Sequence, residues 1–544
     1  MAKTISKPLA LAVAVGLTLG GSFGAGAPAF AQTLQTAPDT AQNVPPASTI
    51  PAGQNFSLTV NKRVNSQTLR QGTGQQDSEV GGDPLQGAEF QIQKLEGNIR
   101  QQADFSRLAA LTREFNKPLS AAETPALDTG FTAQTKTTGS NGQAIFEGLP
   151  AGAYLVTETK TPDSDGTQTF VKSNPFIVFV PMTNPDGNTW NQNVHVYPKN
   201  SEVRVTKQVD DANKHASNEA PGRNVDSKVT YTLDGLVPAA PAGRELRNFK
   251  LTDSSNSQEL QFGDDFVTSV VRIPAGQTPE QAVPLTQGQH YTVVRQAQAP
   301  TNTENIAAGA NQYFDILIAD PAAAGLQPGD TVRAVVEATM LQAPDQEIEN
   351  SVNESGIFRD PNSAVEDEPF ETPNDKVVTY LGKIRVVKIE EREDDAEGAP
   401  VPLAGAKFDL YNCATPQTIL QSGTTNDQGN LTFEGIHVSD WVNDEAPDAN
   451  VEYCLRETEA PAGYTILEEE IRGIQLTRES REALGEGPGA TQVRMVSRTV
   501  QNRPSSEVPI LPSTGGMGIL IVALLGLGII AGGVYAARRN SAKA

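Results

Sequence analysis

Three lysines in this 544-residue chain occupy positions that strand alternation reserves for apolar side chains. Phe56, Leu58, Val60 and Lys62 share one parity, as do Val203, Val205 and Lys207, and Ile384, Val386 and Lys388. A lone ammonium inside a β-sandwich costs roughly several kcal/mol. Burial pushes the amine toward its neutral form, which is a nucleophile. Three asparagines sit on apolar parities too. Asn200 follows Val194 and Val196, and Asn350 lies between Ile348 and Val352. Asn502 follows Val500, in a register that Met495 and Arg498 make less clean. Three acids do the same: Glu158 with Tyr154 and Val156, Asp253 with Phe249 and Leu251, and Glu457 with Tyr453 and Leu455. A buried carboxyl has a raised pKa and can relay protons. The bland alternative for each lysine is a strand end whose amine snorkels to water. A further lysine, Lys199, ends the stretch "WNQNVHVYPKN". Carried on from Val194 and Val196, the alternation turns Asn200 inward and Lys199 outward.

The elements that must place these residues are mostly strands. The central region is rich in Val, Thr, Gly, Pro and Asn, with short alternating runs and turn signals, which predicts all-β sandwich domains. One helix is expected in "ADFSRLAALTREF", with Phe105, Leu108, Ala109, Leu111 and Phe115 at near-helical spacing. Two regions repeat each other in order. "LQGAEFQI" matches "LAGAKFDL", "GQAIFEG" matches "GNLTFEG", and "YLVTETKTP" matches "YCLRETEAP". The repeat predicts two copies of one domain, at 50–199 and 375–503, flanking a different domain at 200–374. The second boundary falls in "RDPNSAVEDEPFETPNDK", an acidic, Pro-rich linker.

The ends carry processing signals. Lys3 and Lys7, the run "LALAVAVGLTLGG" and the small-residue site "APAFA" predict a signal peptide over 1–31. Residues 516–537 are uncharged and long enough to span a bilayer. Arg538, Arg539 and Lys543 follow, so the 538–544 tail is expected in the cytoplasm. Between the 504–515 linker and the span stands "LPSTG", Leu511–Gly515, which is similar to the sorting signal of Gram-positive surface proteins. Removing both ends takes five basic residues and no acidic ones, so the formal charge moves from −23 to −28, 37 basic against 65 acidic residues. So acidic a surface argues against nucleic acid or anionic lipid as a partner. Cys413 and Cys454, the two cysteines, are expected to pair as one disulfide outside the cell, on the parity opposite the core. Neither a metal site nor a cofactor is indicated. The acidic loops "DDAN" and "EREDDAE" could hold calcium but read as solvated loops. No G-x-S-x-G, H-E-x-x-H or histidine cluster points to an enzyme.

Set side by side, the repeated units resemble the collagen-adhesin B-repeat type of immunoglobulin-like domain. Tyr453, Leu455, Glu457, Thr458, Ala460, Pro461, Gly463 and Tyr464 match the pilin E box in full, whereas the first copy keeps Tyr154, Glu158, Thr159 and Pro162. Trp190, Val194, Val196, Tyr197, Pro198 and Lys199 match every fixed position of the pilin motif W-x-x-x-V-x-V-Y-P-K. The whole resembles a major shaft pilin of a sortase-assembled Gram-positive pilus, of the three-domain Spa type. That resemblance implies tandem immunoglobulin-like sandwiches, with an A-repeat type in the middle. It implies a sortase that cuts between Thr514 and Gly515 and joins Thr514 of one subunit to Lys199 of the next. It also implies internal Lys–Asn isopeptide bonds: Lys207–Asn350 with Asp253, Lys388–Asn502 with Glu457, and Lys62–Asn200 with Glu158. Asn200 adjoins the pilin lysine, so three outcomes stay open for the last bond: closure in the free subunit, closure only on assembly, or none at all. The implied partners are a pilus sortase, a housekeeping sortase, further copies head to tail, a tip pilin and peptidoglycan, on the surface of a Gram-positive bacterium. No residue pattern names a host or bacterial receptor. The rival reading is a monomeric wall-anchored adhesin, which needs no Lys199.

Overall fold

The computed structural model describes residues 45–52, 55–64, 72–117, 125–162, 168–217, 227–241, 243–341, 347–361, 366–392, 399–484 and 490–505. The expected signal peptide, the sorting motif with Thr514 and Gly515, the apolar span and the basic tail lie outside the described residues. Packing divides the chain into two units, with the break in sequence between Leu381 and Gly382; residues 441–447 pack with the first unit. The fold is all-β: tandem immunoglobulin-like sandwiches, with one α-helix among the described residues.

In the first unit, the strand Phe56–Asn61 is central to a three-stranded sheet. It runs parallel to Asn193–Val196, pairing Leu58 with Val194 and Val60 with Val196, and antiparallel to Gln143–Leu149. The facing sheet is antiparallel, in the order Gln134–Thr137, Glu89–Lys94, Gly152–Lys160, Phe176–Val180. The unbroken apolar run of Phe176–Val180 is buried at every residue, as a core strand should be. Leu58, Val60, Phe90, Ile92, Tyr154 and Val156 fill the space between the sheets. The predicted helix forms over Gln102–Phe115. It buries Phe105, Leu108, Ala109 and Thr112, while Leu111 and Phe115 are only partly covered. Asp104 in its first turn accepts the Asn98 N–H at 2.8 Å, where a carboxylate suits the helix dipole.

A second hydrophobic cluster in the same unit belongs to two further sheets. One runs Val267–Ile273, Thr331–Met340, Lys228–Leu236, Lys199–Asp210, and the other Thr292–Gln296, Gln312–Ile318, Glu245–Ser255, Glu347–Arg359 and the start of Asp375–Glu390. Thr331–Met340 alternates strictly, burying Val332, Ala334, Val336, Ala338 and Met340. In the second unit, Lys383–Glu390 runs parallel to Met495–Asn502. A four-stranded antiparallel sheet faces it, in the order Ile419–Thr424, Lys407–Asn412, Tyr453–Glu459, Ile471–Ile474.

Candidate cross-linking sites

Each of the three inward lysines is buried, and each meets its acid. Lys62 follows directly on the strand Phe56–Asn61 and is held by its main chain. Its N–H donates to the Gly142 carbonyl at 2.7 Å, and its carbonyl accepts the Leu85 N–H at 3.1 Å. Its Nζ donates to Asn200 Oδ1 at 2.5 Å, Glu158 Oε2 at 2.8 Å and Ser173 Oγ at 3.2 Å. Asn200 Nδ2 donates to Glu158 Oε1 at 2.8 Å, closing a Lys–Asn–Glu triangle. The Phe90 ring lies 5.3 Å from the amine. Burial pushes Lys62 down to about 8, against the opposing pull of the Glu158 charge.

The corresponding site in the second unit repeats this geometry. Lys388 donates its N–H to Gly429 at 2.7 Å and accepts from Leu403 at 2.9 Å. Its Nζ contacts Asn502 Oδ1 closely and lies 3.3 Å from Glu457 Oε1. Asn502 Nδ2 donates to the two Glu457 oxygens at 2.9 and 3.0 Å. Phe408 takes the place of Phe90, with its ring 5.5 Å from the amine. Burial again lowers the lysine pKa. The repeated glycines have a job here. Gly142 and Gly429 have φ of +73° and +70°, and a Cβ on either would collide with the carbonyl oxygen of Lys62 or Lys388.

In the middle site, Lys207 Nζ donates to Asp253 Oδ2 at 2.5 Å, and both side chains are wholly buried. Burial lowers the lysine and raises the aspartate, so both shifts favour the neutral pair. The Tyr231 ring sits 5.1 Å from the amine. Asn350 is fully buried, two residues from Val352, which faces Asp253 across the sheet. Its amide lies beside the Asp253 carboxyl but makes no hydrogen bond of good geometry. Here the lysine and acid are engaged and the amide is adjacent to them.

Three expectations need correcting. Lys199 does not face out: it is 6% exposed, and burial lowers its pKa. The alternation of Asn193–Val196 stops at Tyr197–Pro198, and a new strand begins at Lys199. There Lys199 and Asn200 pair with Arg63 and Val64, and both side chains are covered. Cys413 and Cys454 do form a disulfide, but not on an open face. Cys454 is fully buried, and Tyr411, directly opposite it in register, is buried too. Asp211 of the "DDAN" loop is buried rather than solvated, its carboxylate accepting Thr379 Oγ1 at 2.5 Å and the Asn443 N–H at 2.7 Å.

The other pilin-motif residues anchor the segment. Val194 and Val196 are core residues. Trp190 Nε1 donates to Thr49 Oγ1 at 3.0 Å, the Tyr197 hydroxyl accepts the Asp77 N–H at 2.6 Å, and the Pro198 carbonyl accepts the Arg63 N–H at 3.2 Å. The E-box tyrosines act alike in both copies: Tyr154 donates to the Pro150 carbonyl at 2.6 Å, and Tyr453 to that of His437 at 2.7 Å. Sequence reasoning missed Ser173, Phe90 and Phe408 as site residues. The two phenylalanines share a position in "GAEF" and "GAKF", a signal the repeat contained.

Known proteins similar to this chain are pilins and fimbrial subunits. Residues 53–201 match the family model "Gram-positive pilin subunit D1, N-terminal domain", and residues 383–483 match a "Prealbumin-like fold domain". The chain is 28% identical over 536 residues to fimbrial subunit type 2 of Actinomyces naeslundii, covering 90% of each chain. It is 29% identical to fimbrial subunit type 1 of Actinomyces viscosus, covering 91% of this chain and 92% of that one. Among solved structures, the full-length major pilin SpaD from Corynebacterium diphtheriae superposes with a TM-score of 0.57 at 27% identity, over 84% of this chain and 99% of that one. With a Gram-positive pilin model matching its N-terminal region, a prealbumin-like model its C-terminal region, fimbrial relatives along its length and a major pilin sharing its fold, the chain is similar to the shaft pilins of the Spa type.

Proposed function

We propose that the chain polymerises into a covalent, wall-anchored pilus and closes internal isopeptide bonds in each of three domains, 50–199, 200–374 and 375–503. The observation that carries the internal bonds is the buried Lys–Asn–acid triangle, formed around Lys62 and again around Lys388. In each, neutral Nζ attacks the asparagine amide carbon. A C–N bond to lysine forms, the bond to the amide nitrogen breaks, and ammonia leaves with a proton that the glutamic acid relays. Lys207, Asn350 and Asp253 are the corresponding set in the middle domain.

Between subunits, a sortase cysteine cleaves the Thr514–Gly515 bond and holds Thr514 as a thioester. Lys199 of another copy then displaces the thiolate, forming an amide. Copies join head to tail in a heterologous contact that does not close on itself. The burial of Lys199 favours its neutral, nucleophilic form, but it also means that the segment around it must yield for the sortase to reach it. A denaturing gel of wall extract tests this reading. A ladder that Lys199→Ala abolishes supports polymerisation, whereas a single band from the unaltered protein makes it a monomeric wall-anchored adhesin. Intact mass tests the internal bonds: the mature chain should fall short by one ammonia per bond, and a deficit no larger than the disulfide's hydrogens refutes them.

A further inference from the structure

Comparing the two glutamate sites isolates one difference. Glu457 Oε2 takes a single main-chain donor outside the triangle, the Leu467 N–H at 2.7 Å. Glu158 Oε2 takes two from one residue, the Ser173 N–H at 2.8 Å and the Ser173 hydroxyl at 2.7 Å. The same hydroxyl lies 3.2 Å from Lys62 Nζ. Ser173 is itself 6% exposed, so water does not replace it. Lys62 also sits nearer its acid, 2.8 Å against 3.3 Å for Lys388.

We propose that Ser173 is a positioning residue that slows closure of the Lys62–Asn200 bond relative to Lys388–Asn502. The inference rests on the internal-bond reading above. A buried lysine and glutamate with one mobile proton between them exist as an ion pair or as neutral amine plus acid, and only the neutral amine attacks. A hydroxyl that donates to Glu158 Oε2 stabilises the carboxylate and with it the ammonium. The Ser173 main-chain N–H does the same work that Leu467 does at the other site; the hydroxyl is the added element. It biases the pair toward the unreactive ion pair without taking part in the bond that forms.

The test follows both bonds in one molecule. The mature chain is made by cell-free translation and sampled over time. Peptide mapping then quantifies the Lys62–Asn200 and Lys388–Asn502 cross-linked peptides. The unaltered chain should close Lys388–Asn502 first. Ser173→Ala should speed Lys62–Asn200 by about tenfold, since a hydrogen bond to a charged group is of that order, and should leave the Lys388–Asn502 rate unchanged. Ser173→Thr, which keeps the hydroxyl, should restore the slow rate. An unchanged or slower Lys62–Asn200 rate in Ser173→Ala overturns the role of Ser173 while leaving the bonds standing. Absence of that peptide from every variant, with Lys388–Asn502 formed, overturns the N-terminal bond and Ser173 together. Absence of both peptides overturns the internal-bond reading itself. Normal closure of Lys388–Asn502 in Ser173→Ala, together with Trp190 fluorescence that matches the parent chain when both are made in a Trp441→Phe background, establishes that the variant has folded.

Discussion

Blocking the N-terminal bond should expose the cost of a buried lysine as a pH dependence of stability. Asn200→Ala removes the electrophile and leaves Lys62 titratable beside Glu158. The Lys62 pKa is about 8 in the folded chain against 10.5 for the free side chain. The folded value is the lower one, so between those pH values the unfolded chain binds the extra proton and stability rises with pH. Below about 8 both states are charged and the folded state carries the full cost; above 10.5 both are neutral and the cost is gone. At about 1.4 kcal/mol per pH unit, the rise amounts to about 3 kcal/mol. Lys62 and Glu158 have fully buried side chains, so solvent screening does not reduce it. The assay is urea unfolding followed by Trp190 fluorescence. The chain has two tryptophans, so Trp441→Phe leaves Trp190 as the reporter; its half-buried ring packs against the N-terminal core, 6.1 Å from Phe105. Subtracting the curve of Lys62→Met/Asn200→Ala removes the titration of every group that does not interact with Lys62. A flat difference between pH 8 and 10.5, or one that falls, refutes the placement of a desolvated lysine at this site. The unaltered, cross-linked chain should lack this dependence, because an amide nitrogen does not titrate.

Other consequences can be tested separately. Reducing the disulfide, which spans a sequence separation of 41, should destabilise the C-terminal sandwich by about 4 kcal/mol on the chain-entropy estimate; an unchanged urea midpoint would show that the loop is already constrained when unfolded. Gly142→Ala forces a side chain into a positive-φ position against the Lys62 carbonyl. It should cost about 1–3 kcal/mol and delay the Lys62–Asn200 peptide in a mapping time course, while a neutral effect would mean that the strand end moves freely. Asp253→Ala should leave the middle domain one ammonia heavier by intact mass and destabilise it by about 3–5 kcal/mol, because Lys207 loses its buried partner. Loss of the ammonia in that variant would remove Asp253 from the chemistry.

How far the sequence could be read depended on whether the chain stays in one strand. Where it does, parity sufficed: Lys207 on Lys199–Asp210, Asp253 on Glu245–Ser255 and Lys388 on Asp375–Glu390 all point inward as the alternation requires. The helix was equally legible, because its apolar residues recur at 3.6-residue spacing. Parity failed at Lys199 because Pro198 ends one strand and a new pairing begins one residue later, so the inside–outside rhythm restarts. It failed for Cys454 in another way. Alternation states which face of a sheet a residue occupies, whereas cover over that face is a tertiary matter that the strand's own sequence does not encode. Ser173 was illegible for a third reason. It lies in "VKSNP", outside any repeat, and its importance comes from reaching a carboxylate fifteen residues away. A periodic signal locates what the backbone repeats, and the lysines, acids and glycines of these sites are of that kind. The groups that tune their protons come from connecting segments, where each contact is made once and has to be found in the fold.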